Sequence, residues 1–180
     1  MRVISGSRRG RKLLSFEGEH IRPTTDRVKE AMFNLIQGNT ADAVVFDAFS
    51  GSGALAIEAV SRGALFAVCT DVDERAIGII RNNFSGCDFS DKCEVVLSTA
   101  CAYLEKTDRR FDLMFADPPY NKGLVTPLLE VVARRKLLNA GGLVVIERDG
   151  IEDSFELSGF TVEKERKYGR TVISVLSLQL

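Results

Sequence analysis

Five apolar runs recur along this chain with helix-like stretches between them, and that alternation limits its fold more than any single residue does. They are AVVFDAF (43–49), LFAVCTD (65–71), CEVVLS (93–98), FDLMFAD (111–117) and GGLVVIE (141–147). Runs this apolar have no polar face to offer water, so they predict strands covered on both sides, joined by crossovers into a parallel sheet. The stretches ALAIEAVSRG, DERAIGIIRNNF and LVTPLLEVVARRKLL have helical spacing, with Ala76, Ile79 and Ile80 on one face of the second. No helix is read between the third and fourth strands.

The C-terminal part differs. FTVEKERKYG and TVISVLSL flank Gly169-Arg170, a pattern that predicts two antiparallel strands closing the sheet. Ahead of the first strand, RPTTDRVKEAMFNLI predicts a helix capped by Thr24 or Thr25, with Val28, Met32, Leu35 and Ile36 at helical spacing and Gly38-Asn39 ending it. With 180 residues and no linker, repeat or low-complexity segment, the expectation is one α/β domain (38–180) carrying a small N-terminal extension (1–37).

Composition narrows the chemistry. Nothing approaches the roughly 18 consecutive apolar residues of a membrane helix, and the basic N-terminus lacks the apolar core of an export signal, so a cytoplasmic protein with no membrane partner is expected. The four cysteines (Cys69, Cys87, Cys93, Cys101) form no C-x-x-C pair, and the one histidine, His20, lies in a polar stretch. These features argue against a metal site or a histidine-based triad and for reduced thiols, with Cys69 and Cys101 in the core. The net charge of −1 says nothing about nucleic acid, yet residues 1–12 hold Arg2, Arg8, Arg9, Arg11 and Lys12 and no acid. Such an arm either neutralises phosphates or is merely solvated, and charge alone does not separate the two. No large exposed apolar face is evident, so a monomer is expected.

Ligands of doubly wound sheets bind beyond the carboxyl ends of the strands, which makes strand-ending residues informative. The first strand runs into FDAFSGSGALAIEA, where Gly51 and Gly53 allow a tight turn with free N–H groups at a helix start. Asp71 ends the second strand, placed to accept ribose hydroxyls. This pattern also satisfies a dinucleotide fingerprint, so an NAD(P)-dependent dehydrogenase is one reading, and a ligand-free helix cap is another. Asp47 weighs against the dehydrogenase, because a buried carboxylate before the loop would repel a pyrophosphate. It suits a ligand with a cationic end, such as the sulfonium and amino group of S-adenosylmethionine.

The fourth strand ends in Asp117, Pro118, Pro119 and Tyr120. Prolines lack an N–H and fix φ, so the carbonyls before them can be held outward as acceptors, beside a carboxylate and a flat ring. An exocyclic amine on a nucleobase supplies two N–H donors and a π-face to match them. The plain alternative is a turn with no chemistry, and it loses ground because the glycine loop ends a strand of the same sheet.

These stretches together resemble a known family. MRVISGSRRGRKL, RPTTDRVKEAMFNLI, FDAFSGSGALAIEAVSRGA, DVDERAI, FDLMFADPPY and YGRTVIS, in order along the chain, are similar to the bacterial RsmD-type 16S ribosomal RNA guanine-N2 methyltransferases. Those belong to the class I S-adenosylmethionine-dependent methyltransferases. The resemblance implies a Rossmann-like, mostly parallel seven-stranded sheet with a reversed last strand, and methyl transfer to N2 of a guanine in 16S rRNA on the 30S subunit or its assembly intermediates. It also implies that Asp47, Phe49, Ser50, Gly51 and Gly53 hold the methionine end, Asp71 the ribose and Val72 the adenine, while Asp117 to Tyr120 hold the guanine. Where the family carries an acid after the third strand this chain reads STA (98–100), leaving Thr99 as the hydrogen-bonding residue there.

In that light Arg8, Arg9, Arg11 and Lys12 are expected to contact RNA phosphates, with Arg22, Arg27 and Lys29 extending the surface, the last two unless they are solvated helix charges. Tyr168 and Arg170, in the closing turn, fit a substrate contact or an ordinary turn. The rival readings are an amine methyltransferase acting on DNA, protein or another RNA, and a non-catalytic RNA- or dinucleotide-binding protein.

Overall fold

The computed structural model describes residues 1–16, 25–119, 122–150 and 155–179. His20, Arg22, Thr24 and Tyr120 lie outside the described residues. The helices are α1 (Asp26–Leu35), α2 (Ala54–Ser61), α3 (Glu74–Gly86), α4 (Ala100–Leu104) and α5 (Val125–Arg135). The strands are β1 (Val44–Asp47), β2 (Phe66–Asp71), β3 (Cys93–Leu97), β4 (Phe111–Ala116), β5 (Leu138–Asp149), β6 (Phe160–Tyr168) and β7 (Thr171–Leu178).

The strands form one sheet in the order β3-β2-β1-β4-β5-β7-β6. Its first five strands are parallel and β7 runs antiparallel to both neighbours, as the class I methyltransferase pattern implies. The chain steps outward from β1 through β2 to β3, then returns to place β4 on the other side of β1. The crevice this reversal opens, at the carboxyl ends of β1 and β4, is where ligands of open α/β sheets bind.

Alternate side chains of each buried strand feed two different cores, the period-2 consequence of the pleat. Val45, Ala67, Cys69, Leu113, Phe115 and Val145 face α1, α2 and α3, whereas Phe46, Val68, Met114, Ala116, Val144 and Ile146 face α4 and α5. Phe33 of α1 packs its ring 5.3 Å from that of Phe115, and Phe46 is stacked on Tyr103 at 5.7 Å. Truncating Phe115, which is fully buried, would cost about 3–5 kcal/mol.

Several local expectations need correction. A short helix, α4, stands between β3 and β4, started by the Thr99 hydroxyl accepting the Ala102 N–H at 3.1 Å; five residues are too few to show a periodic pattern. β5 extends beyond 141–147 at both ends. On α3 the buried face carries Ala76, Ile77 and Ile80, and Ile79 is only half-buried. Cys69 and Cys87 are the buried thiols, and Cys101 is half-exposed.

The basic arm is a small hairpin. Arg2 and Lys12 form an antiparallel bridge, and the Val3 N–H donates to the Arg11 carbonyl at 2.9 Å. Val3 and Leu13 join the same core as α1, α2 and α3. At Gly6 (φ 86°) the hairpin presses so close to α2 that a Cβ would stand 1.8 Å from the Ser61 carbonyl oxygen.

Glu58, fully buried on α2, anchors this packing by accepting the Ile4 and Ser5 N–H groups at 2.8 and 3.0 Å and pairing with Arg62 at 2.7 Å. Lys29, expected at an RNA surface, is instead fully buried, 3.3 Å from Glu58, with its ammonium donating to the Arg2 carbonyl. Burial lowers its pKa, and Glu58 opposes that shift. A lysine beside Val28 on the inner face of α1 can go inward only because the arm and Glu58 supply partners for its head.

Candidate active site

Asp71, Asp47 and Asp117 end or directly follow β2, β1 and β4, which lie side by side in the sheet. The alignment is set by parallel register: Asp47 pairs with Cys69 on one side and Phe115 on the other, so all three acids emerge at one edge.

Asp47 is 1% exposed, and neither of its carboxylate oxygens has a hydrogen-bond partner among the described residues. Burial pushes its carboxyl up to about 8, with the nearby charge of Asp117 adding to the effect, the Ala56 backbone N–H pulling the other way, and Asp71 giving a smaller further push. A buried acceptor left open at the crevice fits a ligand that brings its own cationic donor. It fits a diphosphate badly.

The glycine loop is built differently from the expectation of free amides. Gly51 and Gly53 have φ of 55° and 78°, a region that glycine enters without strain. Their N–H groups, however, are already used: that of Gly51 donates to Asp71 Oδ2 at 2.9 Å, and that of Gly53 to the Ser50 carbonyl at 2.7 Å. The glycines therefore serve conformation, and Gly53 also serves packing, since a Cβ there would stand 3.2 Å from Ile80 Cγ2. Ser50 is buried, its hydroxyl donating to the Asp47 carbonyl at 2.8 Å, which fixes the turn that follows β1.

Asp71 is half-buried. One oxygen holds Gly51 and the other accepts the Asp73 N–H at 3.0 Å, so the carboxylate is oriented by backbone on both sides and keeps lone pairs for hydroxyls. Val72 is 69% exposed beside it, an apolar side chain left at the crevice rim. Phe49 is half-buried against the α4–α5 core. Thr99 is exposed, with its hydroxyl engaged as the cap of α4.

Asp117 is half-buried, Pro118 buried and Pro119 exposed. The Ala48 N–H donates to the Phe115 carbonyl at 3.0 Å, tying the turn after β1 to the end of β4 just before this segment. Tyr120, the fourth member, lies outside the described residues.

Among the expected RNA contacts, Arg9, Arg11, Lys12 and Arg27 are exposed. Arg8 is committed elsewhere: its Nε donates to the Cys87 carbonyl at 2.8 Å, it pairs with Asp88 at 3.3 Å, and its guanidinium sits 5.3 Å from the Phe89 ring centre. Arg170 is also engaged, 2.8 Å from Asp149, and Tyr168 packs against the α1–α3 core. The ordinary turn role thus has structural support for both.

Two acids at this sheet end escaped the sequence reading. Glu147 and Asp149, each 4% exposed or less, close β5, where Ala116 pairs with Ile146 immediately before Asp117 and Glu147. The signal was present in LVVIERDG, an apolar run ending in acids like those that end in Asp47 and Asp71. Asp149 anchors Arg170 and so fastens the β6–β7 turn to this edge.

A family model described as Conserved hypothetical protein 95 matches residues 1–177. A Bacillus subtilis protein, YlbH, provisionally named an rRNA methyltransferase, is 34% identical over 179 residues, spanning 97% of both chains. Ribosomal RNA small subunit methyltransferase D of Escherichia coli K12 is 33% identical over 149 residues, or 83% of this chain and 75% of the relative. The solved structure of E. coli yhhF, provisionally titled a methyltransferase, superposes with a TM-score of 0.86 at 29% identity, covering 99% of each chain.

Proposed function

We propose, from the premise that this chain belongs to the RsmD-type family described as Conserved hypothetical protein 95, that it moves a methyl group from S-adenosylmethionine to N2 of a guanine in 16S rRNA. The substrate in this reading is the 30S subunit or an assembly intermediate. The observation that carries it is the open, buried carboxylate of Asp47 at the same sheet edge as Asp117-Pro118-Pro119. One feature asks for a cationic ligand, the other for an amine donor, and a sulfonium methyl donor with a nucleobase amine meets both.

When bound, the cofactor would supply an electrophilic methyl on a sulfonium, whose sulfur would keep the C–S bonding pair and leave as a neutral thioether. Asp47 would hold its amino end and Asp71 its ribose, with Val72 and Thr99 on the adenine side and Phe49, Ser50, Gly51 and Gly53 shaping the turn beneath. Asp117 and the Pro118 carbonyl would each accept one N–H of the guanine amine. That pair of bonds favours the pyramidal nitrogen, localises its lone pair and orients it for in-line attack. The proton that the amine must lose leaves along the hydrogen bond to Asp117 or to solvent. Tyr120 would stack on the base. Arg9, Arg11, Lys12 and Arg27 would hold phosphates at a distance from the chemistry.

The deciding experiment is transfer of labelled methyl to 30S particles from cells lacking this gene, to naked 16S rRNA and to duplex DNA. Label in a single N2-methylguanine of the particle's rRNA is the expected result. Label confined to DNA, or found on another base, would overturn it.

A further inference from the structure

Asn83 lies on α3, outside the row of strand-ending acids, and is 3% exposed. All three of its hydrogen bonds go to the main chain of the arm and the loop. Its Oδ1 accepts the Leu14 N–H at 2.7 Å, and its Nδ2 donates to the Leu14 carbonyl and to the Ser52 carbonyl, both at 2.9 Å. The orientation of the amide is dictated by the Leu14 N–H, which needs an acceptor, and by two carbonyls that need donors. Ser52 is the central residue of the glycine loop, and Leu14 belongs to the segment by which the arm leaves its hairpin. One buried side chain therefore holds both.

A second line of contacts runs the same way. Past Leu14, the ring of Phe16 lies 5.8 Å from the guanidinium of Arg75. Arg75 pairs with Asp73 at 2.7 Å, the Asp73 N–H donates to Asp71, and Asp71 accepts the Gly51 N–H. Met1 Sδ, also of the arm, is 3.9 Å from the Ser52 hydroxyl.

We infer that Asn83 is a positioning residue that couples the N-terminal arm to the cofactor loop, so that seating the arm and binding the cofactor favour one another. The inference rests on the cofactor reading above. Aspartate at 83 would set an anion against two carbonyls, and alanine would leave three backbone groups without their partner, so asparagine suits the position for a reason beyond filling space. By linkage, whatever the arm adds to cofactor affinity the cofactor returns to arm order, and the exposed cations of the arm then meet RNA in a more fixed arrangement when the cofactor is loaded.

Amide hydrogen exchange on the unmodified protein tests this directly, with S-adenosylmethionine as the probe. Exchange of the Leu14 amide is expected to slow when the cofactor is added, and titration of Asn83→Ala and Leu14→Pro should each show affinity roughly three- to tenfold weaker. The Leu14 side chain is 57% exposed, so Leu14→Pro removes the donated N–H with little loss of packing, and it stands in for Asn83→Ala should that variant not fold. The double variant should be little worse than either single one, since both break one link. If unmodified protein binds the cofactor while Leu14 exchange is unchanged and Leu14→Pro binds normally, the coupling is refuted and the cofactor reading stands. Failure of unmodified protein to bind S-adenosylmethionine would overturn both.

Discussion

Asp47 and Asp117 belong to the ends of neighbouring parallel strands, and the charge of Asp117 helps to keep the buried Asp47 carboxyl protonated. In the proposed reaction the two acids serve opposite ends of the chemistry, one holding the methyl donor and the other the acceptor. Their closeness makes the donor site sensitive to pH and to its neighbour.

With the Asp47 pKa raised from 3.8 to about 8, the empty folded protein keeps a proton that the unfolded chain has lost. Its contribution to stability is fully present below about pH 4 and is lost as pH rises through about 8. A cationic ligand favours the ionised form, so cofactor affinity should climb between about pH 6 and pH 7.5, by up to about tenfold per unit. Calorimetry in two buffers of unlike ionisation heat should read release of about one proton at the lower pH. A flat profile without proton release would remove Asp47 from the ammonium role.

Asp47→Asn keeps the shape and removes the charge. The empty variant should melt higher than the unmodified protein at pH 8, where a buried anion is most costly, and should bind S-adenosylmethionine roughly ten- to hundredfold more weakly. Thermal melts and titration at one pH check both signs together.

Asp117→Ala should slow methyl transfer by about a hundredfold or more without weakening cofactor binding, because its proposed partner is the base amine. Removing a like charge should also lower the Asp47 pKa, so the pH dependence of cofactor binding should shift to lower pH. Loss of cofactor affinity equal to the loss of rate would place Asp117 in the cofactor site instead.

Changing Arg9, Arg11 and Lys12 together to alanine should flatten the salt dependence of RNA binding, by roughly 0.7–0.9 in slope for each phosphate no longer neutralised, and leave the melting temperature nearly unchanged. Arg8→Ala should do the reverse, lowering stability because it removes the bonds to Cys87 and Asp88 and the packing on Phe89. Filter binding across salt concentrations, run beside thermal melts, separates these roles.

Glu58→Gln should destabilise the protein by about 3–5 kcal/mol, since it leaves the buried Lys29 without its charge partner. Urea denaturation measures this, and a loss under about 1 kcal/mol would show that the Lys29–Glu58 pair does not anchor the fold.

The sequence by itself determined the parallel sheet, the closing antiparallel pair, and the gathering of Asp47, Gly51, Gly53, Asp71 and Asp117-Pro118-Pro119 at one end of that sheet. Each is a local statement: an apolar run of strand length, a turn needing positive φ, an acid where a strand stops. Parallel register does the rest, because it turns the carboxyl ends of neighbouring strands toward one edge of the sheet. Only the tertiary structure decided which cations are free and which polar groups are committed. Asn83 reaches Leu14 across 69 positions, Lys29 meets Glu58, and Arg170 meets Asp149, pairings that depend on which helix faces the arm covers and on where β7 returns beside β5. A lysine or arginine looks the same in a sequence whether its head is solvated or paired. The difference lies in the partner, and for these residues the partner comes from a distant part of the chain that packing brings within hydrogen-bond reach.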